Sequence, residues 1–293
     1  MLTLYKNFSA LSAIFSSLII WLGTNLLCYS ALIPGYAHPF SFCMAAIFVY
    51  FTTLYYETKQ FKHLLIVALA WSELTLLRPT DSIYGLFFLL YNIDNFSSLF
   101  IRIKDFMFHW KQFLLFPILL CIIYIPQLIY WKYISGEWVI YSYQEERFSL
   151  WKHPMLPEIW YHPLNGLFLY EPLLLLSIVG IFLSWNKTKF NSRAILLLFL
   201  LTSYISASWW YWTFGTSYGY RPFINFLPLL AIPIAYIIQL VSTTRFKQLM
   251  YVTLLFFLFI SVRMNFIYSW RWQGENWSWN DVLNCYINAI LLR

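Results

Sequence analysis

The sequence predicts an all-α protein: a polytopic bundle of transmembrane helices that forms a single integral membrane domain over residues 1–293. Two observations predict this class. Of the 293 residues, 61% are hydrophobic and only 11% are charged, whereas soluble domains carry about 25% charged residues. The hydrophobic residues also form long runs, and an α-helix needs about 20 mostly apolar residues to cross the hydrocarbon core of a bilayer.

About nine hydrophobic segments follow one another along the chain. Their approximate bounds are 8–29, 40–56, 63–78, 82–93, 112–131, 166–185, 194–209, 222–241 and 249–268. The third and fourth segments are short, so we expect either tilted helices or a re-entrant pair that is buried among its neighbours. Residues 94–111 mix apolar and basic side chains, which predicts an amphipathic helix in the inner membrane interface, with an irregular linker as the alternative.

The basic residues of the connecting segments predict the orientation of the bundle. Eleven Lys and Arg but only three carboxylates fall in the N-terminus and in segments 57–62, 94–111, 186–193 and 242–248. Because cytoplasmic loops are enriched in Lys and Arg, we expect these segments to face the cytoplasm. The outer face then holds 30–40, 78–81, the long loop 131–165, 207–222 and the tail after 268. The net charge of +7 follows from the cytoplasmic loops and does not indicate a nucleic-acid partner.

Tryptophan is concentrated on the predicted outer side. Eleven of the fifteen tryptophans lie in 131–165, 207–222 and the tail after 268. An aromatic belt at the membrane–water interface would populate both faces of the bilayer. The skew therefore predicts an outer surface that binds an amphipathic molecule.

The motifs of soluble enzymes are missing from the sequence. It contains no GxGxxG, P-loop, HExxH, CxxC or nucleophile elbow. The four cysteines, Cys28, Cys43, Cys121 and Cys285, show neither metal-ligand spacing nor a disulfide framework. No cofactor is assigned, and a divalent cation stays open. The remaining candidates are polar residues at or near membrane depth, which are costly to bury and are therefore suspected of function.

Three charged residues lie close together in the third segment and the turn that follows it. Glu73 interrupts the apolar run LLIVALAWSELTLL, and Arg78 and Asp81 come shortly after it. One interpretation is a structural ion cluster in which Arg78 pairs with Glu73, and the other is a ligand site. Asp81 also has the residue type of an N-cap for a helix that begins at Ser82. His38, in the outer loop 30–40, either packs that loop or has a catalytic or ligand-binding role.

Carboxylates also occur in and beside the long outer loop. Glu145 and Glu146 are adjacent, and such pairs perform acid–base work or hold a divalent cation. Adjacent carboxylates are equally ordinary on a solvated surface. Glu171, at the start of the next apolar segment, needs a basic partner or a cavity.

Three stretches resemble parts of a known family. They are ELTLLRPTDSIYGLFFLLYNI, WVIYSYQEERFSLWKHPMLPEIWYHPLNGLFLYEPLLLLSIVGI and ISASWWYWTFGTSYGYRPFINFLPLLAIPIAYII. They are similar to the central and C-terminal parts of bacterial GT-C glycosyltransferases of the dolichyl-phosphate-mannose–protein mannosyltransferase-like group. The resemblance, from about residue 20 to 270, implies sugar transfer from a polyprenyl-phosphate donor to an acceptor on the outer side of the bacterial cytoplasmic membrane.

One departure from that family concerns the catalytic base. The family uses an acidic residue in the first outer loop, but loop 30–40 contains no Asp or Glu. We therefore expect the family's N-terminal helices to be absent here, with a separately encoded N-terminal half as a partner or with no activity of the chain alone. Asp81 and Glu145 remain the candidates for the base. The alternatives to a transferase are a transporter or flippase of lipid-linked sugars and a non-catalytic membrane subunit.

The stretch 207–222, ASWWYWTFGTSYGYRP, contains the most specific candidate, Arg221. This residue precedes Pro222 and an apolar run, and a cation at a helix N-terminus is unfavourable without an anion. We predict that Arg221 binds the phosphate of a lipid-linked ligand, and that Gly215 and Gly219 leave room for it. Arg78 is a further ligand-binding candidate. Four aromatic residues would bracket a prenyl chain or a sugar: Trp209, Trp210, Tyr218 and Tyr220. The alternative is Arg221 paired with Glu171, Glu145 or Glu146, or stacked on the tryptophans.

Overall fold

The computed structural model describes residues 1–141, 143–215, 218–271 and 274–292. It is 75% helical, and the described residues form no β-strand. Among the described residues, five helices are long and apolar enough to cross a membrane: His38–Thr58, Trp110–Ser135, Thr188–Ala207, Arg221–Ser242 and Lys247–Tyr268. The all-helical class is confirmed, and these five helices indicate an integral membrane protein. They are fewer than the nine predicted segments.

The α-helices are numbered in chain order. In the N-terminal half they are α1 (Leu2–Tyr5), α2 (Ala10–Leu22), α3 (His38–Thr58), α4 (Phe61–Leu77), α5 (Tyr84–Leu90), α6 (Phe96–Phe108), α7 (Trp110–Phe113) and α8 (Leu115–Ser135). In the C-terminal half they are α9 (Leu156–Tyr161), α10 (Leu167–Tyr170), α11 (Leu175–Leu183), α12 (Ser192–Ala207), α13 (Leu227–Ser242), α14 (Lys247–Arg271) and α15 (Trp279–Leu291). Short 3-10 helices at Pro79–Ile83, Pro172–Leu174, Thr188–Phe190, Arg221–Phe226 and Gly274–Asn276 and a π-helical turn at Cys28–Leu32 complete the helical structure.

Local signals in the sequence set the ends of several helices. The Ser9 side chain accepts a hydrogen bond from the backbone N–H of Ser12 and so caps α2. Asn95 caps α6 in the same way. Helix α8 ends at Gly136, whose φ of 80° suits a left-handed C-cap. Helix α4 ends where Arg78, which precedes Pro79, takes up an extended backbone.

Two predicted spans are interrupted. The segment 8–29 is α-helical only over Ala10–Leu22, because Gly23 and the polar Thr24 follow, and the Thr24 hydroxyl donates to the carbonyl of Ile20. The segment 166–185 is divided into α10, the 3-10 turn and α11, because Pro172 has no N–H to donate to a helix. Hydrophobicity alone did not reveal either break.

The predicted short segments and the amphipathic segment are helical. Segments 63–78 and 82–93 become α4, the 3-10 turn Pro79–Ile83 and α5, which has only seven residues. The interface segment 94–111 contains α6, which has no buried residue. The helix in that segment is confirmed, and its place in a membrane interface stays a prediction.

Contacts join connecting segments that belong to the same predicted side of the membrane. At one end Lys6 pairs with Glu57, and Arg193 donates to the backbone carbonyl of Asp94. At the other end the backbone N–H of Leu150 donates to the carbonyl of Ser208 at 3.0 Å. Which end faces the cytoplasm stays a prediction, and we call the second end the outer end.

Helix α13 forms the centre of the bundle. It belongs to the apolar helix Arg221–Ser242, which is 72% buried, and it packs against α2, α3 and α11. Gly180 of α11 permits this packing, because a Cβ there would lie 2.3 Å from the carbonyl oxygen of Pro233 in α13. By contrast, the helix Trp110–Ser135 has no buried residues along its apolar window.

Candidate functional site

Polar side chains from separate helices meet at the outer end. His38 begins α3, Arg78 and Asp81 follow α4, and Arg221 and Asn225 lie in the 3-10 turn that leads into α13. We call these five residues the outer polar cluster. His38, Asp81 and Asn225 are buried, and only 2% of the surface of Asn225 is exposed. Buried polar groups are costly unless they are hydrogen-bonded, so their partners decide what the cluster can do.

Asn225 connects the buried members of the cluster. Its Nδ2 atom donates to Oδ2 of Asp81 at 2.8 Å, and its Oδ1 atom lies 3.3 Å from Nδ1 of His38. The hydroxyl of Tyr84 donates to the Asn225 backbone carbonyl at 2.6 Å. Because Nδ2 of Asn225 faces the carboxylate of Asp81, Oδ1 of Asn225 is turned toward the ring of His38.

His38 has two competing partners. Nη1 of Arg78 lies 2.8 Å from Nδ1 of His38, the same atom that faces Asn225. Nδ1 accepts from Arg78 when it carries no proton, and it donates to Asn225 when it carries one. Nη1 of Arg78 also lies 3.4 Å from Nε2 of His38. Arg78 can therefore bond to the ring in either neutral tautomer, whereas Asn225 Oδ1 accepts only from a protonated Nδ1.

Arg221 lies on aromatic rings. Its guanidinium carbon is 5.2 Å from the ring centroid of Tyr36 and 5.9 Å from that of Phe214. The charges of Arg221 and Arg78 both act on the ring of His38, so the two arginines converge on one residue.

The cluster carries more positive than negative charge. Within the described ranges, no carboxylate forms an ion pair with Arg221 or Arg78, and this includes Glu171, Glu145 and Glu146. The only carboxylate of the cluster is Asp81. Two arginines against one carboxylate leave a surplus positive charge within the outer polar cluster.

Asp81 is turned into the cluster. Burial raises the pKa of Asp81, while the charge of Arg78 and the hydrogen bond from Asn225 act in the opposite direction. Asp81 lies inside the 3-10 helix Pro79–Ile83 and does not cap a following helix. The predicted capping role is therefore wrong, because the side chain bonds to Asn225 instead.

Glu73 does not join this cluster. It lies in a groove between α4 and α8, beside Pro126 and Gln127. The predicted pair between Glu73 and Arg78 is not formed, because the Arg78 side chain turns to His38 at the end of α4. The interpretation of the region as an ion cluster around Glu73 is therefore wrong.

The predicted aromatic bracket is divided between separate clusters. Tyr220 is fully buried and packs edge-on against Phe214, which also contacts Arg221. Tyr218 is turned away, and its hydroxyl donates to the carbonyl of Tyr170 at 3.2 Å. Of these two tyrosines, Tyr220 shares a ring neighbour with Arg221.

The two tryptophans pack against the outer loops. Trp209 is buried against Phe148, with 4.7 Å between the ring centroids. Trp210 is 45% exposed and stacks on Tyr211. Arg221 therefore lies on Tyr36 and Phe214, and the alternative of stacking on the tryptophans is wrong.

The long outer loop places its carboxylates on the surface. Glu145 and Glu146 are exposed, and the described residues provide no hydrogen-bond partner for either carboxylate. In the described part of the chain, no group of three or more His, Cys, Asp and Glu residues is arranged to hold a metal ion. The long-loop prediction includes Ser142, and the stretch 207–222 includes Thr216 and Ser217, which lie outside the described residues.

An apolar cavity of about 730 Å³ opens between α2, α3 and α13. It extends from the N-terminal residues Met1–Leu4 at the inner end to Phe42 and Pro228 near the outer end. Phe42 lies one helical turn after His38, and Pro228 lies three residues after Asn225. The cavity therefore runs along the bundle and ends about one turn from the outer polar cluster.

Sequence reasoning missed Asn225 and Tyr36. Asn225 is a single amide inside the apolar run PFINFLPLL, and a polar residue in such a run was the signal that could have revealed it. Tyr36 carried no such signal, because its role depends on the position of Arg221.

Comparisons of the chain with protein-family models, with curated proteins and with solved structures found no match. The fold and the site define a helical membrane protein with a positively charged polar cluster at one end of its bundle.

Proposed function

We propose that this chain binds a polyprenyl-phosphate-linked sugar at the outer polar cluster, as a protein of the GT-C glycosyltransferase type. The observation that carries the proposal is the convergence of Arg78 and Arg221 on His38, with Asp81 as the only carboxylate of the cluster. A surplus positive charge at one end of a membrane bundle suits a phosphate, and arginine binds phosphate through its planar fork.

Two helix ends add to the attraction for an anion. His38 is the first residue of α3, a helix of 21 residues, and Arg221 begins the apolar helix Arg221–Ser242. Each helix N-terminus carries roughly half a positive charge. Because no carboxylate in the described part of the chain forms an ion pair with Arg78 or Arg221, both guanidinium groups remain available to the same phosphate.

The apolar cavity favours a lipid over a soluble phosphate. Its walls come from α2, α3 and α13, and it ends about one helical turn from His38. A prenyl chain in this cavity would hold its phosphate at the outer polar cluster. One lipid-linked phosphate would thus occupy both the apolar cavity, with its prenyl chain, and the outer polar cluster, with its phosphate.

Sugar transfer by the chain alone is not expected. Loop 30–40 contains no carboxylate that could act as the base. Asp81 is the candidate inside the cluster, and burial raises its pKa toward the range of a useful base. Because Asp81 is held by Asn225, we expect catalysis to require a further carboxylate from a separately encoded half.

The test is the binding of a fluorescent polyprenyl-phosphate probe to purified protein in nanodiscs. We expect Arg221→Ala to weaken binding about tenfold or more, because a charge-assisted contact is worth about 1.5–3 kcal/mol. Arg221→Lys keeps the charge without the fork, so its loss should be smaller. The matched control is Arg147→Ala, which removes an exposed arginine from the same end of the bundle. Binding by a folded Arg221→Ala protein at wild-type affinity would reject the phosphate site.

The second candidate is a flippase for the same lipid. The reach of the apolar cavity from Met1–Leu4 to Pro228 favours it, because a flipped lipid must cross between the two ends. Liposomes that hold the protein and a headgroup-labelled lipid distinguish the two candidates. Protein-dependent movement of the label between leaflets supports a flippase, and binding without movement supports the transferase-like protein.

A further inference from the structure

Glu171 is the most deeply buried carboxylate in the described part of the chain. None of its surface is exposed, and neither carboxylate oxygen has a hydrogen-bond partner among the described residues. It lies at the break between α10 and the 3-10 turn Pro172–Leu174. A buried carboxylate in this position requires a compensating charge.

Asn25 and Gly219 surround Glu171. A Cβ on Gly219 would lie 2.6 Å from Oε1 of Glu171 and 3.2 Å from Nδ2 of Asn25, so both side chains border the same small space. Asn25 is only 1% exposed, and both polar atoms of its side chain lack a partner within the described ranges. Gly219 therefore does not leave room for a ligand at Arg221, as predicted, because Glu171 and Asn25 occupy that side of it.

Three non-helical segments meet at this point. Residues 23–25, Glu171 and residues 218–220 all lie outside the α-helices. The backbone carbonyls of Asn25, Glu171 and Gly219 already accept hydrogen bonds from the backbone N–H groups of Tyr29, Leu174 and Arg221. The side-chain oxygens of Glu171 and Asn25 are therefore the candidate ligands at this point. We call Glu171, Asn25 and Gly219 the Glu171 cluster.

Nothing cationic balances Glu171. The backbone amide of Asn25 is directed at its carboxylate but carries no net charge, and no Lys or Arg acts on Glu171 in the described part. The titratable neighbours on which its charge acts are Tyr218 and Tyr286, two phenols. The two hydroxyls are already committed, since Tyr218 donates to Tyr170 and Tyr286 donates to the carbonyl of Leu169.

We propose that Glu171 and Asn25 form a binding site for a monovalent alkali cation. One carboxylate balances one positive charge, whereas a divalent ion would leave a buried charge uncompensated. A proton would also neutralise Glu171, but it would leave both polar atoms of the Asn25 side chain without a partner, and only a bound cation makes stability depend on sodium. The Nδ2 atom of Asn25 borders the space beside Oε1 of Glu171. With the amide turned by 180°, its oxygen and the carboxylate would contact a cation together. This site shares no residue with the outer polar cluster and does not rest on the proposed function.

The test compares sodium with choline at constant ionic strength. Purified wild-type protein in detergent should unfold several degrees higher in sodium, because an ion that binds only the folded protein stabilises it. The protein should also bind radioactive sodium in a saturable manner. Glu171→Gln removes the charge with little change of shape, so it should lose both the sodium binding and the sodium dependence of unfolding.

Further variants identify the ligands of the ion. Asn25→Ala removes one oxygen ligand, and we expect it to weaken sodium binding about tenfold. The control is Glu137→Gln, which removes an exposed carboxylate from the outer loop and should behave as wild type. Equal unfolding temperatures in sodium and choline, without saturable sodium binding to the wild type, would overturn the site. Stabilisation by acid alone, with no effect of sodium, would assign the site to a proton and overturn it as well.

Discussion

The outer polar cluster and the Glu171 cluster lie on two sides of one short segment. Gly219 packs against Glu171 and Asn25, while Arg221, two residues later, belongs to the outer polar cluster. In the first cluster the buried polar groups bond to one another, as Asn225 does to Asp81. In the second, the side chains of Glu171 and Asn25 find no hydrogen-bond partner within the described residues.

The difference lies in the sign of the surplus charge and in its exposure. Arg78 and Arg221 are partly exposed, so water can solvate their surplus positive charge when no ligand is bound. Glu171 is wholly buried, so its negative charge has no access to water. We therefore expect changes in the outer polar cluster to act on ligand binding and changes in the Glu171 cluster to act on stability.

The largest effect is expected from the removal of both arginines. Arg78→Ala combined with Arg221→Ala should weaken the binding of a polyprenyl-phosphate probe about a hundredfold or more, since each charge-assisted contact is worth about 1.5–3 kcal/mol. The measurement is probe binding to the two single variants and the double variant, which gives the coupling between the arginines. Because both side chains are partly exposed, the unfolding temperature should change little. A double variant with a much lower unfolding temperature but wild-type probe affinity would contradict this comparison. The outer polar cluster would then act on stability, as we infer for the Glu171 cluster.

A smaller effect is expected from the pH dependence of stability at Asp81. Its pKa in the folded protein is raised above the ordinary value of 3.8, so the folded state holds the proton more tightly than the unfolded state. This contributes stability below that ordinary value, and the contribution is lost as the pH rises through the folded pKa. Each unit by which the pKa is raised is worth about 1.4 kcal/mol.

The measurement is thermal unfolding of wild-type protein and Asp81→Asn as the pH rises from the ordinary pKa of 3.8 through the raised pKa of the folded protein. Asparagine resembles the protonated acid and does not titrate. We therefore expect the wild type to lose stability relative to the variant as the pH rises. A difference that changes in the opposite direction would mean that Arg78 dominates over burial at Asp81.

The sequence predicted the components of the outer polar cluster better than their arrangement. Arg78 and Arg221 stood out as isolated cations beside apolar runs, and Asp81 stood out for the same reason. Their convergence on His38 depends on the packing of α3 against the 3-10 turn Arg221–Phe226. No local pattern in the sequence encodes that packing.

The helix breaks and the position of Gly219 were equally hidden. Gly23 and Pro172 break the helices without making their segments less hydrophobic. The hydrophobicity of a segment therefore does not reveal a break inside it. Gly219 was predicted to leave space for a ligand because glycine has no side chain. That side of Gly219 is instead bordered by Glu171 and Asn25, two residues far from it in the sequence.

The smallest effect is expected at Glu73, the third carboxylate near membrane depth. Glu73 lies partly exposed in the groove between α4 and α8, and it forms no pair with Arg78. Glu73→Gln should therefore change the free energy of unfolding by about 0.5 kcal/mol or less, as surface substitutions usually do. Unfolding and probe binding are measured beside Glu171→Gln, the matched loss of a carboxylate from a fully buried position. If Glu73→Gln weakened probe binding as Arg78→Ala does, Glu73 would be coupled to Arg78, and the outer polar cluster would extend down α4. An unchanged Glu73→Gln beside a Glu171→Gln that has lost its response to sodium would assign the effect to complete burial without a partner, because both variants remove the same charge.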